Sequence, residues 1–223
     1  MRRNSKLVVF GTGEIAELAD FYFQHDSDLD VAAFAVDGAY LKEDAFCGKP
    51  VVAMEELAAH FPPAATNAFV AVSYAKLNAL RTQKVAQMIE KGYQLASYVS
   101  SKATVFPGFT PGHNAFILED NTIQPFARVG NNVTLWSGNH IGHHSVIEDN
   151  CFLASHIVVS GGVRIGAGSF VGVNVTIRDH VTIGGRCVIG AGALMLENAE
   201  DEGVYAPRGT ERARVPSSRL RSI

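Results

Sequence analysis

The sequence predicts two units of different fold class: an α/β unit, followed by an all-β parallel β-helix. In residues 1–97, short apolar runs alternate with helix-like stretches whose apolar residues are three and four apart. From residue 117 to residue 195, an aliphatic side chain recurs at every sixth position. A period of six fits neither a strand nor an α-helix, whereas hexapeptide repeats specify the coils of a parallel β-helix.

The first unit reads as three strands and three helices. Strands that alternate with helices predict a parallel sheet, here a small βαβαβ unit. The expected strands are residues 6–10, 31–36 and 67–72, and the expected helices are residues 14–23, 54–60 and 77–91.

The second unit has two apolar slots in each hexad. The first slot is occupied by Ile117, Ile123, Val129, Leu135, Ile141, Ile147, Leu153, Val159, Ile165, Val171, Ile177, Ile183, Ile189 and Met195. A slot four residues later is mostly small or apolar. Three hexads to a coil would stack residues eighteen apart at about 4.8 Å, the usual strand spacing. Cys151 and Cys187 would then lie two coils apart, too far for a disulfide.

Glycine directly follows the aliphatic residue in six hexads. These glycines are Gly130, Gly142, Gly166, Gly172, Gly184 and Gly190. We interpret them as corners of the coil that require a relaxed backbone conformation.

Composition excludes several classes of function. The net charge of −3 gives no field that favours nucleic acid or an anionic membrane. No apolar run approaches the roughly 18 residues that span a bilayer. Three cysteines without CxxC spacing argue against a disulfide framework or a thiolate zinc site, so a cytoplasmic location is expected. The expected domains are residues 1–97 and 98–200, with residues 201–223 as a tail.

Two features of the sequence are typical of a known family: the hexads from Ile117 to Met195 and the N-terminal segment FGTGEIA. The chain resembles the left-handed β-helix hexapeptide acyltransferases, in particular bacterial sugar acyltransferases of the sialic acid O-acetyltransferase and UDP-4-amino-sugar N-acetyltransferase type. The resemblance implies a homotrimer with acetyl-CoA in the cleft between neighbouring β-helices. It also implies a Rossmann-like N-terminal domain that holds the nucleotide-sugar.

The segment SGNHIGHHSVI contains three histidines, none of which takes an inward slot. An amine or hydroxyl that attacks a thioester must lose a proton, and an imidazole, with a pKa near 6.5, is suited to accept it. The resemblance assigns the general base to His143. Family members often have an acidic residue next, where this chain has His144, which either orients the substrate or faces solvent. His156 would lie on a neighbouring face and could bond the acyl carbonyl.

The segment GTGEIA opens with a glycine turn after the first strand. The resemblance implies that three segments contact the nucleotide-sugar. They are this turn (Gly11, Thr12, Gly13, Glu14), Asp37 after the second strand, and Ser73 and Tyr74 after the third strand. The alternative is a glycine turn that is merely structural.

For the acetyl-CoA co-substrate, the resemblance implies backbone contacts around Val173 and Ala191, eighteen residues apart. Gly161, one coil beyond His143, is a candidate for contact with the thioester. The tail contains five arginines, of which Arg208, Arg212 or Arg214 could meet CoA phosphates; a solvated tail is the alternative.

We therefore expect an acetyl-CoA-dependent N-acetyltransferase for a nucleotide-linked amino-dideoxy sugar of surface glycans such as lipopolysaccharide O-antigen. O-acetylation of a sialic-acid-like sugar is the close alternative. Because the γ-carbonic anhydrases share the β-helix and bind zinc with three histidines, a zinc lyase using His140, His143, His144 or His156 is another alternative. The last alternative is a non-catalytic trimer that binds a nucleotide-sugar. For the expected acyl transfer itself, no metal is expected.

Overall fold

The computed structural model describes residues 5–212, 214–215 and 217–219. Its N-terminal α/β unit contains one six-stranded sheet of order β3-β4-β2-β1-β5-β6, parallel except for the β3–β4 pair. The elements are β1 (Ser5–Phe10), α1 (Glu14–Asp26), β2 (Leu29–Val36), a 3-10 turn (Gly38–Tyr40), β3 (Ala45–Phe46), β4 (Lys49–Ala53), α2 (Leu57–His60), a 3-10 turn (Pro63–Ala65), β5 (Thr66–Val70), α3 (Ala79–Glu90) and β6 (Gln94–Leu95).

The three expected strands and three expected helices are present, with ends shifted by a few residues. The sequence analysis missed the β3–β4 hairpin and β6. Cys47 and Gly48 both have positive φ at the hairpin turn, as a two-residue type I′ turn requires. Strands of two to five residues carry too little alternation to stand out in a sequence.

The second unit is a parallel β-helix with three faces. Face one consists of β8 (Thr104–Val105), β10 (Thr122–Ile123), β13 (His140–Ile141), β16 (Val158–Val159), β19 (Thr176–Ile177) and β22 (Leu194–Met195). Face two consists of β11 (Arg128–Val129), β14 (Val146–Ile147), β17 (Arg164–Ile165) and β20 (Thr182–Ile183). Face three consists of β7 (Tyr98–Val99), β9 (Phe116–Ile117), β12 (Thr134–Leu135), β15 (Phe152–Leu153), β18 (Phe170–Val171), β21 (Val188–Ile189) and β23 (Val204–Tyr205).

The predicted register is confirmed. Stacked strands pair residues eighteen apart, as His140 does with Val158, and every aliphatic residue of the first slot is buried. Ser145 and Ser169 occupy second slots and are satisfied inside the prism: each hydroxyl donates to a carbonyl of the next coil. The last coil is shorter, because Val188 pairs with Val204, so the β-helix reaches into the expected tail.

The interpretation of the six glycines was wrong. None of them has a positive φ; instead, an added Cβ at Gly142 would lie 2.6 Å from the backbone carbon of Ser160 in the next coil. These glycines therefore permit close stacking of coils. The left-handed corner comes two residues later, where residues that tolerate positive φ dominate, namely Asn, Asp, His and Gly. His144, His156 and His180 all occupy such corners, each with φ near 59°.

Face three is covered by the α/β unit. Tyr98 and Phe116, which point outward from this face, join the core of that unit, and Trp136 packs against it. Phe152 and Phe170 each lie 4.8 Å from the ring of Tyr74. Trp136, Phe152 and Phe170 lie outside the two inward slots, and the chain's own N-terminal unit contacts all three.

Arg81 of α3 connects the two units through hydrogen bonds to the β-helix. Its guanidinium donates to the Thr134 hydroxyl and to the carbonyls of Asn132 (3.0 Å) and Cys151 (3.3 Å), and it lies over the Phe152 ring. Burial lowers the pKa of Arg81 to about 10, which leaves it charged at neutral pH. The α/β unit is therefore held on face three by a buried, hydrogen-bonded cation.

Candidate functional site

Six of the predicted residues line one cavity at the carboxyl ends of β1 and β5. This strand-end cavity, of about 690 Å³, is lined by Gly11, Thr12, Gly13, Glu14, Ser73 and Tyr74, together with Ile15, Leu18, Ala71, Val72, Ala75 and Trp136. Ligands of open α/β sheets bind at the carboxyl ends of adjacent parallel strands, so this is the expected place for one.

The glycines of this turn have separate roles. Gly11 has φ +122°, and a Cβ there would lie 2.6 Å from the Ala71 carbonyl oxygen, so the close approach of the two strand ends requires glycine. Gly13 is extended and caps α1, and an added Cβ would meet no atom within 4 Å. The N terminus of α1, with its free N–H groups, therefore opens on the cavity at a residue that has no side chain.

Asp37 does not line the strand-end cavity. It follows β2, and its carboxylate lies 2.5 Å from the ammonium group of Lys84 on α3, which is nearly buried. The structure thus gives Asp37 a contact between β2 and α3.

His143 is exposed at the corner between faces one and two, which residues 142–145 form. Its backbone N–H donates to the side chain of Gln124 at 2.9 Å. Its ring lies against Gly161 of the next coil, where an added Cβ would come within 2.7 Å of Cε1 and Nε2. The Gly161 N–H in turn donates to the carboxylate of Asp179 at 3.0 Å. This corner therefore presents an accessible imidazole on a fixed backbone.

His144 lies beside it in the left-handed corner position. The Nδ1 atoms of His143 and His144 are 3.1 Å apart, and the ring of Phe126 lies 4.8 Å from that of His144. His144 borders a second cavity of about 550 Å³, which Gln124, Phe126 and Arg128 also line.

His156, Val173 and Ala191 lie at a different corner, between faces three and one. The His156 ring lies against Gly138, and Val173 and Ala191 are exposed and stack in one column, as expected. Gly161 belongs to the corner of His143 instead. His140 is on the strand of face one that joins the two corners. In the described ranges, no three His, Cys, Asp or Glu side chains are grouped to hold a metal ion.

The two corners have different relations to the strand-end cavity. Trp136, which lines that cavity, begins the corner between faces three and one. His143 is at the corner opposite face three, and the α/β unit packs on face three. Within one chain, the strand-end cavity and the His143 imidazole therefore lie beside different corners of the prism.

Sequence reasoning missed Gln124, Asp179 and Trp136. The eighteen-residue period could have found Asp179, which lies two coils beyond His143 in the same column. Gln124 and Trp136 carry no sequence signal, because their roles depend on packing between coils and units. Arg208, Arg212 and Arg214 are exposed. No helix among the described residues is long and apolar enough to span a membrane.

These features define a β-helix of hexapeptide repeats that carries an N-terminal α/β unit. The family described as bacterial transferase hexapeptide (six repeats) matches residues 144–179 and 162–196. A comparison with curated proteins finds no match.

Solved structures share both units. A histidine-to-asparagine variant of perosamine N-acetyltransferase from Caulobacter crescentus, in complex with CoA and GDP-perosamine, superposes with a TM-score of 0.79 at 22% identity, covering 90% of this chain and 92% of that one. The acetyltransferase domain of PglB from Neisseria gonorrhoeae FA1090, in complex with acetyl coenzyme A, gives 0.75 at 21% identity, covering 90% and 95%. These matches confirm the expected resemblance at the level of the fold.

Proposed function

We propose that the protein is an acetyl-CoA-dependent N-acetyltransferase that acts on a nucleotide-linked amino-dideoxy sugar for surface glycans. The observation that carries this proposal is the convergence of the Gly11–Glu14 turn and Ser73–Tyr74 on one cavity, in a chain whose β-helix presents an exposed imidazole. The fold is shared with proteins whose structures contain GDP-perosamine, CoA or acetyl-CoA.

In the proposed reaction, His143 is the general base. The sugar amine attacks the thioester carbonyl, a C–N bond forms, and the C–S bond breaks. His143 Nε2 accepts the proton that the amine loses and returns it to the departing CoA thiolate, so the products are an amide and free CoA. The Gly161 N–H is already bonded to Asp179, so another outward N–H must stabilise the oxyanion.

We infer that the site is completed by a second protomer of a homotrimer. In one chain, the base and the strand-end cavity lie beside different corners of the prism, with face one between them. Cyclic packing would bring the His143 corner of one protomer to the corner of His156, Val173 and Ala191 on the next, beside its strand-end cavity. Acetyl-CoA would then run along that second corner, where Val173 and Ala191 stack.

The strand-end cavity, in what we infer to be a Rossmann-like unit, would hold the nucleotide. The diphosphate would accept from the N-terminal N–H groups of α1, as anions commonly do at helix N termini. We place the reaction in the cytoplasm, since three free cysteines suit a reducing compartment.

The reaction is tested by following free thiol release from acetyl-CoA with UDP-, GDP- and dTDP-linked 4-amino sugars. At least one amino sugar should release thiol in an amount equal to the amide formed. If none does, while the purified protein binds acetyl-CoA, the proposed acceptor class is wrong.

The shared site is tested by mixing two variants at a nucleotide-sugar concentration well below the KM of Gly13→Val, where both are impaired. His143→Ala removes the base, and Gly13→Val narrows the strand-end cavity. When the two variants are refolded or co-expressed in equal amounts, they should recover about a quarter of the wild-type rate. One interface in about four then pairs an intact base from one chain with an intact cavity from its neighbour. A site contained in one chain would recover none.

A further inference from the structure

We propose that His144 is the positioning residue of the base: its neutral imidazole accepts a hydrogen bond from His143 Nδ1–H. The proposal rests on the proposed function, which assigns His143 as the base and leaves its orienting partner open. The two Nδ1 atoms are 3.1 Å apart, within hydrogen-bond distance for one N–H and one lone pair.

The tautomer follows from this contact. If His143 carries its proton on Nδ1 and donates it to His144, the lone pair of His143 is on Nε2, the atom that faces Gly161. The opposite arrangement would put the proton on Nε2 and leave no base. The pair can therefore act only with His144 as acceptor and with the His144 proton on Nε2.

The backbone and the neighbouring ring hold His144 in place. His144 has a φ of 59°, and the Phe126 ring packs against its ring at 4.8 Å with an interplanar angle of 37°. Phe126 itself has φ +68° and is 75% exposed, an unusual conformation for a bulky residue. Phe126 occupies the same left-handed corner one coil before His144, so the two rings stack in one column.

A neutral partner differs from a carboxylate in its effect on charge. When His143 takes the substrate proton, the pair carries one positive charge; a second proton would place two cations 3.1 Å apart. Two charged groups border the pair: Arg128 lines the second cavity together with His144, and Asp179 accepts from the N–H of Gly161, which lies against the His143 ring. Neither contacts the two imidazoles directly among the described hydrogen bonds and ion pairs.

The test removes the imidazole without straining the corner. His144→Gly suits the positive φ and should lower kcat at least about tenfold, while the KM values of both substrates change less than about twofold. The matched control is His180→Gly, because His180 occupies the same corner two coils on with the same φ, and its ring lies against Gly162 instead of a second imidazole. It should leave kcat unchanged.

A rescue variant tests the hydrogen bond itself. His144→Glu should restore kcat relative to His144→Gly, but move the acidic limb of the kcat/KM profile to higher pH, because a carboxylate favours the imidazolium. An unchanged kcat in His144→Gly would overturn the proposal, as would a rise in KM alone, which would place His144 against substrate. Loss of activity in His143→Ala, measured beside these variants, shows that the proposed function stands when only the positioning role fails.

Discussion

Gly161 lies directly against the imidazole of His143, eighteen residues earlier in the chain. A methyl group at Gly161 would come 2.7 Å from Nε2, inside van der Waals contact. Gly161→Ala should therefore push the ring aside and lower kcat at least about tenfold, because misplaced catalytic groups lose rate steeply. Gly161 has no positive φ, so thermal stability should change little. Steady-state thiol release and a thermal melt measure the two effects.

Gly185→Ala is the matched control for that variant. Gly185 holds the same place in its hexad, and an added Cβ would come no closer than 3.4 Å to any atom. Its kcat should equal that of the wild type. Equal rates for both variants would show that the ring position at Gly161 has no bearing on turnover.

The strand-end cavity gives a prediction for acceptor binding. Gly13→Val places a side chain where the structure is empty, at the mouth of the cavity, without contact to neighbouring atoms at Cβ. The KM for the nucleotide-sugar should rise at least about tenfold, because the valine side chain would occupy volume that the nucleotide-sugar needs. The KM for acetyl-CoA serves as the internal control and should not move. A nucleotide-sugar KM equal to that of the wild type would place the acceptor elsewhere.

Arg81 gives a prediction for stability. Arg81→Ala leaves the carbonyls of Asn132 and Cys151 and the Thr134 hydroxyl without their donor in a buried interface. The free energy of unfolding should fall by about 3 kcal/mol, a typical cost for breaking a buried charged network. Chemical denaturation measures it, with the exposed Arg178→Ala as control. A loss below about 1 kcal/mol would mean that Arg81 does not fasten the two units.

Two carboxylates at the interface between the units predict that the folded state loses stability in acid. Burial alone would raise the pKa of Asp26, but hydrogen bonds from Tyr98, Ser101 and Ser100 outweigh it and hold that pKa below its usual value. The pKa of Glu119 is lowered in the same way, against burial, by bonds from Ser137 and Tyr22.

Groups with a lowered pKa stabilise the folded state above the pKa of the unfolded chain, and this stabilisation is lost as the pH falls through the folded pKa. The free energy of unfolding should therefore decline below about pH 4, and Asp26→Asn should make that decline shallower. Asp28→Asn, at an exposed position on the same segment, should leave the slope unchanged. Equal slopes in wild type and Asp26→Asn would contradict the assignment.

The sequence predicted the β-helix well because each hexad repeats the same two buried slots. Fourteen aliphatic positions in strict phase leave only one register, so Ile117 and Ile189 could be placed without a structure. The β3–β4 hairpin could not be found, because short edge strands have no periodic signal. The Arg81 contacts join residues more than fifty positions apart, and no local pattern records them.

The candidate site was predicted in part. The residues of the Gly11–Glu14 turn, Ser73 and Tyr74 lie together because two strand ends meet, which the βαβ pattern implies. Asp37 was expected beside them, but its contact with Lys84 depends on where α3 packs. The sequence left open whether His144 orients the substrate or faces solvent, and the structure places it against His143. Neither the corner φ nor the Nδ1–Nδ1 distance can be predicted from residue types.

The central claim is that the imidazole of His143 accepts the proton during acetyl transfer. The most direct measurement is the rate of thiol release by His143→Ala with a nucleotide-linked amino sugar, together with calorimetric binding of CoA and of the nucleotide-sugar. The account predicts a loss of at least about 10²-fold in rate, with both affinities retained. A rate within a few-fold of the wild type would contradict it.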